Sequence, residues 1–199
     1  MIDATQLGKL LAEEVVNEAG PCFYPGKFKP PHKGHFAAAK NLASRDYIQI
    51  VYVIISNKVI EGITPEDSLS IWNIYLKAEP NPKIKVRIAT EDSPVVTIIH
   101  YLQENPTVDP VYVAGGDDEV DDENYLTSLQ EQFGDRVKAI QVHEKDGIIS
   151  APFVRNALQA GDYEEFVKTI PEAAYNKGAA PIIFKMLAPK TTPDTNDAK

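Results

Sequence analysis

The apolar positions of this chain change period as they run. Leu7, Leu10, Leu11 and Val15 fall at helical spacing, with Asp3 and Thr5 placed as caps, which predicts an amphipathic helix over about 4 to 18, ended by Gly20 and Pro21. The apolar stretch CFYPG (22 to 26) then reads as a strand, followed by a Lys- and Pro-rich loop at 27 to 33 and a helical FAAAKNLA segment. IQIVYVIIS (48 to 56) is almost continuous in β-branched and aromatic residues, as expected of a strand covered on both faces in a parallel sheet.

From there the pattern alternates. It predicts a helix at about 65 to 78, a strand at 84 to 89, a helix at 94 to 103, a strand at 110 to 115, a helix at 122 to 132 and a strand at 137 to 142. Such alternation implies right-handed βαβ crossovers and an α/β fold: a doubly wound parallel sheet of about five strands, with ligands beyond the carboxyl ends of the strands. The chain then reads as helical from about 152 to 187, with breaks near Gly161 and Pro171. The expected organisation is an N-terminal helix within 1–20, one domain over 21–187 and a polar, disordered tail over 188–199.

Composition narrows the class. At 199 residues, 43% hydrophobic and 25% charged, the chain has the make-up of one globular domain, and no apolar run approaches the roughly 20 residues of a membrane span. The first 20 residues mix acids with apolar positions and lack the basic flank of a secretory signal. The single cysteine, Cys22, falls on a buried strand and has no internal disulfide partner, which fits a reducing, cytoplasmic setting. A net charge of −9 disfavours nucleic acid as a partner, whereas small anions remain suitable wherever positive charge is concentrated.

One such place is the loop Tyr24-Pro-Gly-Lys-Phe-Lys-Pro-Pro-His-Lys-Gly-His35. It joins the first strand to the first helix, where main-chain N–H groups and the helix dipole attract phosphate. Gly26 and Gly34 would let a nucleotide approach the backbone, and Lys27, Lys29 and Lys33 add charge. His32 and His35 are three apart and can face one triphosphate from a helix start. Taken alone, two histidines in such a loop also fit solvated surface residues or half of a metal site, although no cysteine partner completes a zinc site.

The run YPGKFKPPHKGH resembles the first signature of the HxGH nucleotidyltransferase superfamily, through Gly26, Phe28, Pro30, His32, Gly34 and His35 in one register. A second stretch, Gly147-Ile-Ile-Ser-Ala-Pro-Phe-Val-Arg155, is similar to that superfamily's I-S-x-T-x-x-R signature. Ser150 and Arg155 match, and Pro152 stands where Thr is usual. By itself this second stretch is a helix start with Ser150 as cap. The segment after it, NALQAGDYEEFVKTIPEAAYNKG, resembles the carboxyl-terminal helices of archaeal-type nicotinamide mononucleotide adenylyltransferases.

The resemblance implies a Rossmann-like fold and transfer of a nucleoside monophosphate, AMP from ATP in the leading reading, to a phosphorylated acceptor such as nicotinamide mononucleotide, or phosphopantetheine next. Pyrophosphate leaves, and Mg²⁺ is carried by the triphosphate rather than by a protein metal site. Because the acceptor phosphate is already ionised, positioning and charge stabilisation suffice. The implied catalytic residues are His32, His35, Lys58 and Arg155, and the implied nucleotide-binding residues are Gly26, Lys27, Phe28, Gly34, Gly115, Asp117 and Ser150. Lys58 enters because IISNK ends the second strand on the ligand side, and Asp117 because AGGDD ends the fourth. The six acids among 117 to 123 otherwise read as a solvated helix start.

Two departures matter. TPEDS at 64 to 68 has Ser68 where family members often carry an arginine, and Pro152 replaces a hydroxyl. A cytidylyltransferase acting on a sugar- or alcohol-phosphate is the alternative within the superfamily, and a non-catalytic nucleotide-binding or structural module the alternative outside it. The partners expected are ATP or CTP and a small phosphorylated acceptor, without nucleic acid or membrane, with a homo-oligomer left open. His100 and His143 have no assigned role.

Overall fold

The computed structural model of the chain describes residues 18–91, 93–116, 123–142 and 149–191. The expected N-terminal helix over 4 to 18 and Asp117 therefore fall outside the described residues, apart from Glu18.

Five parallel strands form one sheet in the order β3-β2-β1-β4-β5, with β1 at Gly20–Gly26, β2 at Ile48–Ile55, β3 at Ile84–Ile88, β4 at Val111–Gly116 and β5 at Val137–Val142. Helix α1 (Lys33–Ala43) and helix α2 (Pro65–Ala78) pack on one face, and helices α3 (Pro94–Glu104) and α4 (Glu123–Phe133) on the other. The residues of β1 and β2 explain why both faces are covered. Cys22, Tyr24, Val51, Val53 and Ile55 enter the core under α1 and α2, while Phe23 and Ile54 enter the core under α3 and α4. Alternate residues of a strand point to opposite faces, so a run apolar at every position can only be buried on both sides.

This is the doubly wound α/β arrangement expected from the alternation. Strand order reverses between β1 and β4, so the carboxyl ends of these two strands flank the crevice where such sheets take ligands. In the chain, the loop holding His32 follows β1, and Gly115 and Gly116 close β4.

The C-terminal segment covers the α1/α2 face through α5 (Ala151–Gln159), α6 (Tyr163–Val167), α7 (Glu172–Tyr175) and α8 (Ala179–Thr191). Gly161, at φ 67°, separates α5 from α6, as its sequence position suggested, and Gly178, at φ 76°, adds a further break before α8. The boundary placed at 187/188 needs correction. Helix α8 continues through Pro189 to Thr191, and Lys190 binds Asp67 of α2 with both carboxylate oxygens at 2.8 Å. That tertiary contact holds a last turn whose composition alone reads as tail. At the other end, Gly20 is the first residue of β1, so the boundary after residue 20 falls inside the strand. No helix among the described residues is long and apolar enough to cross a membrane.

Candidate active site

The loop between β1 and α1 is held by its carbonyl groups. Phe28 O accepts the buried Ser68 hydroxyl at 2.7 Å, Lys29 O accepts Arg155 Nη1 at 2.8 Å, and Pro31 O accepts the Tyr75 hydroxyl at 3.1 Å. Lys29 is fully buried, and its ammonium donates to Lys27 O at 3.2 Å and Ser56 O at 2.9 Å. Burial pulls its pKa down to about 8, with Glu66 and Asp67 opposing, so the group still carries its charge at neutral pH. Four consecutive or near-consecutive carbonyls are thus turned into the protein and satisfied there, which removes their negative ends from the rim.

Phe28 is the wedge of this loop. It sits at φ 51°, 3% exposed, edge-on to Tyr24, His35 and Trp72. A Cβ on Gly26 would lie 2.7 Å from its ring, so Gly26 makes room for Phe28. The Phe28 ring is thus packed inside the protein, and the missing side chain at Gly26 leaves room for it. Burial of a large aromatic ring outweighs any gain from leaving it at the rim.

What the wedge orients is the imidazole pair. His32 caps α1, its Nδ1 accepting the Gly34 N–H at 3.2 Å, and His35 Nδ1 accepts the His32 N–H at 3.3 Å, a capping box built from two imidazoles. Their rings stack with centroids 3.7 Å apart. A main-chain N–H can only donate, so each Nδ1 is unprotonated and each neutral ring carries its proton on Nε2.

Burial, with Lys33 adding to it, pushes His32 down to about 4. Burial, with His32 adding to it, holds His35 well below the usual imidazole range. In the free protein the two rings are therefore neutral Nε2–H donors. The positive charge of the loop therefore rests on its lysines, because burial disfavours the ionised form of either ring. The expectation that main-chain N–H groups at the helix start attract phosphate needs correction. The N–H groups of His32 and Gly34 are taken by the imidazoles and that of Lys33 by Thr169 O at 2.8 Å, so these amides are not open to phosphate.

The second motif meets the first. Ser150 caps α5 by accepting the Phe153 N–H at 3.3 Å, with Pro152 in the first turn, and one turn on Arg155 donates to the carbonyl of Lys29. The Pro152 departure is accommodated by the helix start, where a missing N–H costs no helical bond. Arg155 Nε also lies 2.7 Å from Glu61 Oε1, near enough for an ion pair although the N–H is not aligned for a hydrogen bond.

The other expected residues are more dispersed. Lys58 is exposed beyond β2, two residues after the carbonyl that receives Lys29, and Lys27 is exposed beside the wedge. Gly34 and Gly115 are buried in α1 and β4. The segments that follow β4 and β5, including Asp117 and His143, lie outside the described residues.

Three residues central to this arrangement, Glu61, Ser68 and Tyr75, carry no motif signal. Their partners in the loop and in α5 are 40 or more positions away in sequence, and only Ser68 stood out, as an absent arginine. Two concavities of about 280 and 500 Å³ open elsewhere, one between α3 and α4 at Ile99 and Leu129, the other between α1 and α7 at Lys33 and Pro171. Neither is lined by His32, His35 or Arg155. Among the described residues no group of three or more His, Cys, Asp or Glu side chains could hold a metal ion.

Two solved structures of Plasmodium falciparum nicotinic acid mononucleotide adenylyltransferase, one complexed with APC and one with NaAD, align with the chain at TM-scores of 0.66 and 0.65. Each alignment covers 86% of this chain and 98% of the neighbour, at 15% and 14% sequence identity. The chain shares their fold. No family model and no curated protein matches it. At this identity the likeness to the adenylyltransferase structures concerns the course of the main chain, and the side chains must be argued on their own geometry.

Proposed function

We propose that the chain is an HxGH-type nucleotidyltransferase that moves AMP from ATP to a mononucleotide-like phosphate, with nicotinic acid or nicotinamide mononucleotide as the first acceptors to test. The observation that carries this reading is the hydrogen bond from Arg155 to Lys29 O, which ties the serine–arginine motif to the loop bearing the two imidazoles. The fold shared with the adenylyltransferase structures supports it. In the reaction, an oxygen of the ionised acceptor phosphate bonds to the α-phosphorus of the triphosphate, and the bond from that phosphorus to the bridging oxygen of pyrophosphate breaks. No proton has to be removed from the nucleophile.

His32 and His35 supply fixed Nε2–H dipoles to oxygens that gain charge, while Arg155 and Lys58 supply the charge itself. Mg²⁺ comes with the triphosphate and shields its charge. The donors gathered here, imidazole N–H and guanidinium, suit phosphate oxygens and not a cation.

The deciding experiment measures pyrophosphate release with ATP and with CTP across a panel of phosphorylated acceptors, in wild type and His35→Ala. Turnover with ATP, reduced about 10²- to 10³-fold in the variant, is the expected result. Preference for CTP would move the chain to the cytidylyltransferases. Binding without turnover for every acceptor would make it a non-catalytic module, a reading that the structural role of Ser68 in place of the arginine favours.

A further inference from the structure

The loop after β2 makes a tight turn that the nucleotidyltransferase reading leaves without a role. Ile60 and Ile63 exchange both main-chain hydrogen bonds, at 3.2 and 3.0 Å, so Glu61 and Gly62 form the tip, with φ of 48° and 75°. Two successive positive φ values are those of a type I′ turn, and a glutamate holds that conformation only where its surroundings impose it. They do so from one side through α8. A Cβ on Gly62 would lie 2.3 Å from Lys190 O, and Lys190 in turn grips Asp67.

The tip presents a carboxylate to α5. Glu61 Oε1 lies 2.7 Å from Arg155 Nε, and Oε2 accepts Gln159 Nε2 at 3.0 Å, so one carboxylate spans residues on successive turns. With Nη1 bound to Lys29 O as well, the guanidinium is held at two points on different elements. One N–H on Nη1 and both on Nη2 have no protein acceptor among the described residues. With Nε ion-paired to the Glu61 carboxylate and one Nη1 proton on Lys29 O, the N–H groups left for an anion are the other on Nη1 and the two on Nη2, at the outer edge of the guanidinium.

We infer that Glu61 is a positioning residue, which sets the plane of Arg155 so that this edge meets the phosphates of the nucleotide. The inference rests on the proposed function, since it requires a triphosphate at Arg155. A carboxylate near a phosphate site also repels the ligand, and the two effects act in opposite directions. Glu61 is 43% exposed, so water screens its repulsion, whereas Arg155 is only 13% exposed and owes its orientation to its contacts. Orientation therefore dominates.

The test titrates inorganic tripolyphosphate into the full chain by calorimetry, alongside ATP kinetics, for wild type, Glu61→Gly, Glu61→Gln and Arg155→Ala. Glycine suits the positive φ at this position, so Glu61→Gly removes the carboxylate without straining the turn, and its unfolding transition verifies the fold. The expected result is tripolyphosphate affinity and KM for ATP both worsened about tenfold or more in Glu61→Gly. Glu61→Gln, which keeps the side-chain length and an oxygen toward Nε but loses the charge of the ion pair, should fall between wild type and Glu61→Gly.

If both Glu61 variants bind tighter, the carboxylate competes with phosphate and the inference is wrong. It is equally wrong if Glu61→Gly, or Arg155→Ala, binds as wild type does. Should wild type bind neither tripolyphosphate nor ATP, the nucleotidyltransferase reading falls and takes this inference with it.

Discussion

His32 donates its main-chain N–H to Nδ1 of His35 while its own Nδ1 accepts the Gly34 N–H, so both imidazoles are locked into the helix cap. This fixes the tautomer and also ties folding to protonation. An imidazole in the unfolded chain titrates near 6.5, whereas His32 in the fold titrates at about 4. Between those values the unfolded chain binds the extra proton, so stability falls as the pH falls. The contribution is complete above about pH 6.5 and is lost progressively toward pH 4, amounting to roughly 3 kcal/mol for His32. His35 acts in the same direction. Urea unfolding from pH 7.5 to 4.5 should show this slope, and His32→Asn, which keeps a capping acceptor, should flatten it. A wild-type profile flat over that range would contradict neutral rings held in the helix cap.

Ser68 occupies the position of an expected arginine, and restoring the arginine should damage the protein. The residue is fully buried and donates to the carbonyl of the wedge residue Phe28. Ser68→Ala leaves that carbonyl without its donor, at a cost of about 1–3 kcal/mol. Ser68→Arg adds a charged side chain where no volume exists and should cost more than the alanine variant. Equal or higher stability of Ser68→Arg in chemical denaturation would mean that the loop can open to admit it.

Arg155 should matter to stability as well as to any reaction. Its removal leaves Lys29 O unpaired and Glu61 without its cation, so Arg155→Ala is expected to lose about 1–3 kcal/mol. At roughly 2–4 °C per kcal/mol for a chain of this size, the melting temperature without nucleotide should drop measurably. Arg155→Lys should restore little, because one ammonium cannot reproduce a fork that reaches two elements. An unchanged melting temperature in the alanine variant would sever the two motifs.

Cys22 should be inert in the native state. Burial pushes its thiol up to about 12, with Arg45 weakly opposing, so almost no thiolate exists at pH 8. Its modification by a thiol-specific disulfide reagent should therefore follow the rate of unfolding, and a fast reaction at low denaturant would place the side chain outside the core.

The sheet was legible because β1 and β2 are apolar on consecutive positions, a pattern with one structural solution. Helix α2 was legible from the alternation of the pattern at about 65 to 78, and the structure starts it with a capping box of Thr64 and Asp67 that the apolar pattern does not include. The imidazole pair and Arg155 were legible as motifs. Their states were not, since protonation depends on burial that spacing does not encode. The packing of the Phe28 ring against Gly26 was not legible, because a glycine vacated for a ligand and one vacated for an aromatic ring look the same in a linear string. Glu61, Tyr75 and the true end of α8 depend on contacts between segments distant in sequence, where local pattern carries no information.

The loop that carries the imidazoles is anchored by Ser68 and Tyr75 of α2, by Arg155 of α5 and, through Lys33 N–H, by Thr169 beyond α6. Its final shape is consequently a property of the completed chain and not of the first βαβ unit. During synthesis the motif would be made early yet take its working conformation only after residues some 130 positions later have docked. Truncation ahead of α5 would preserve the strands while leaving the most recognisable dozen residues without the scaffold that gives them a geometry.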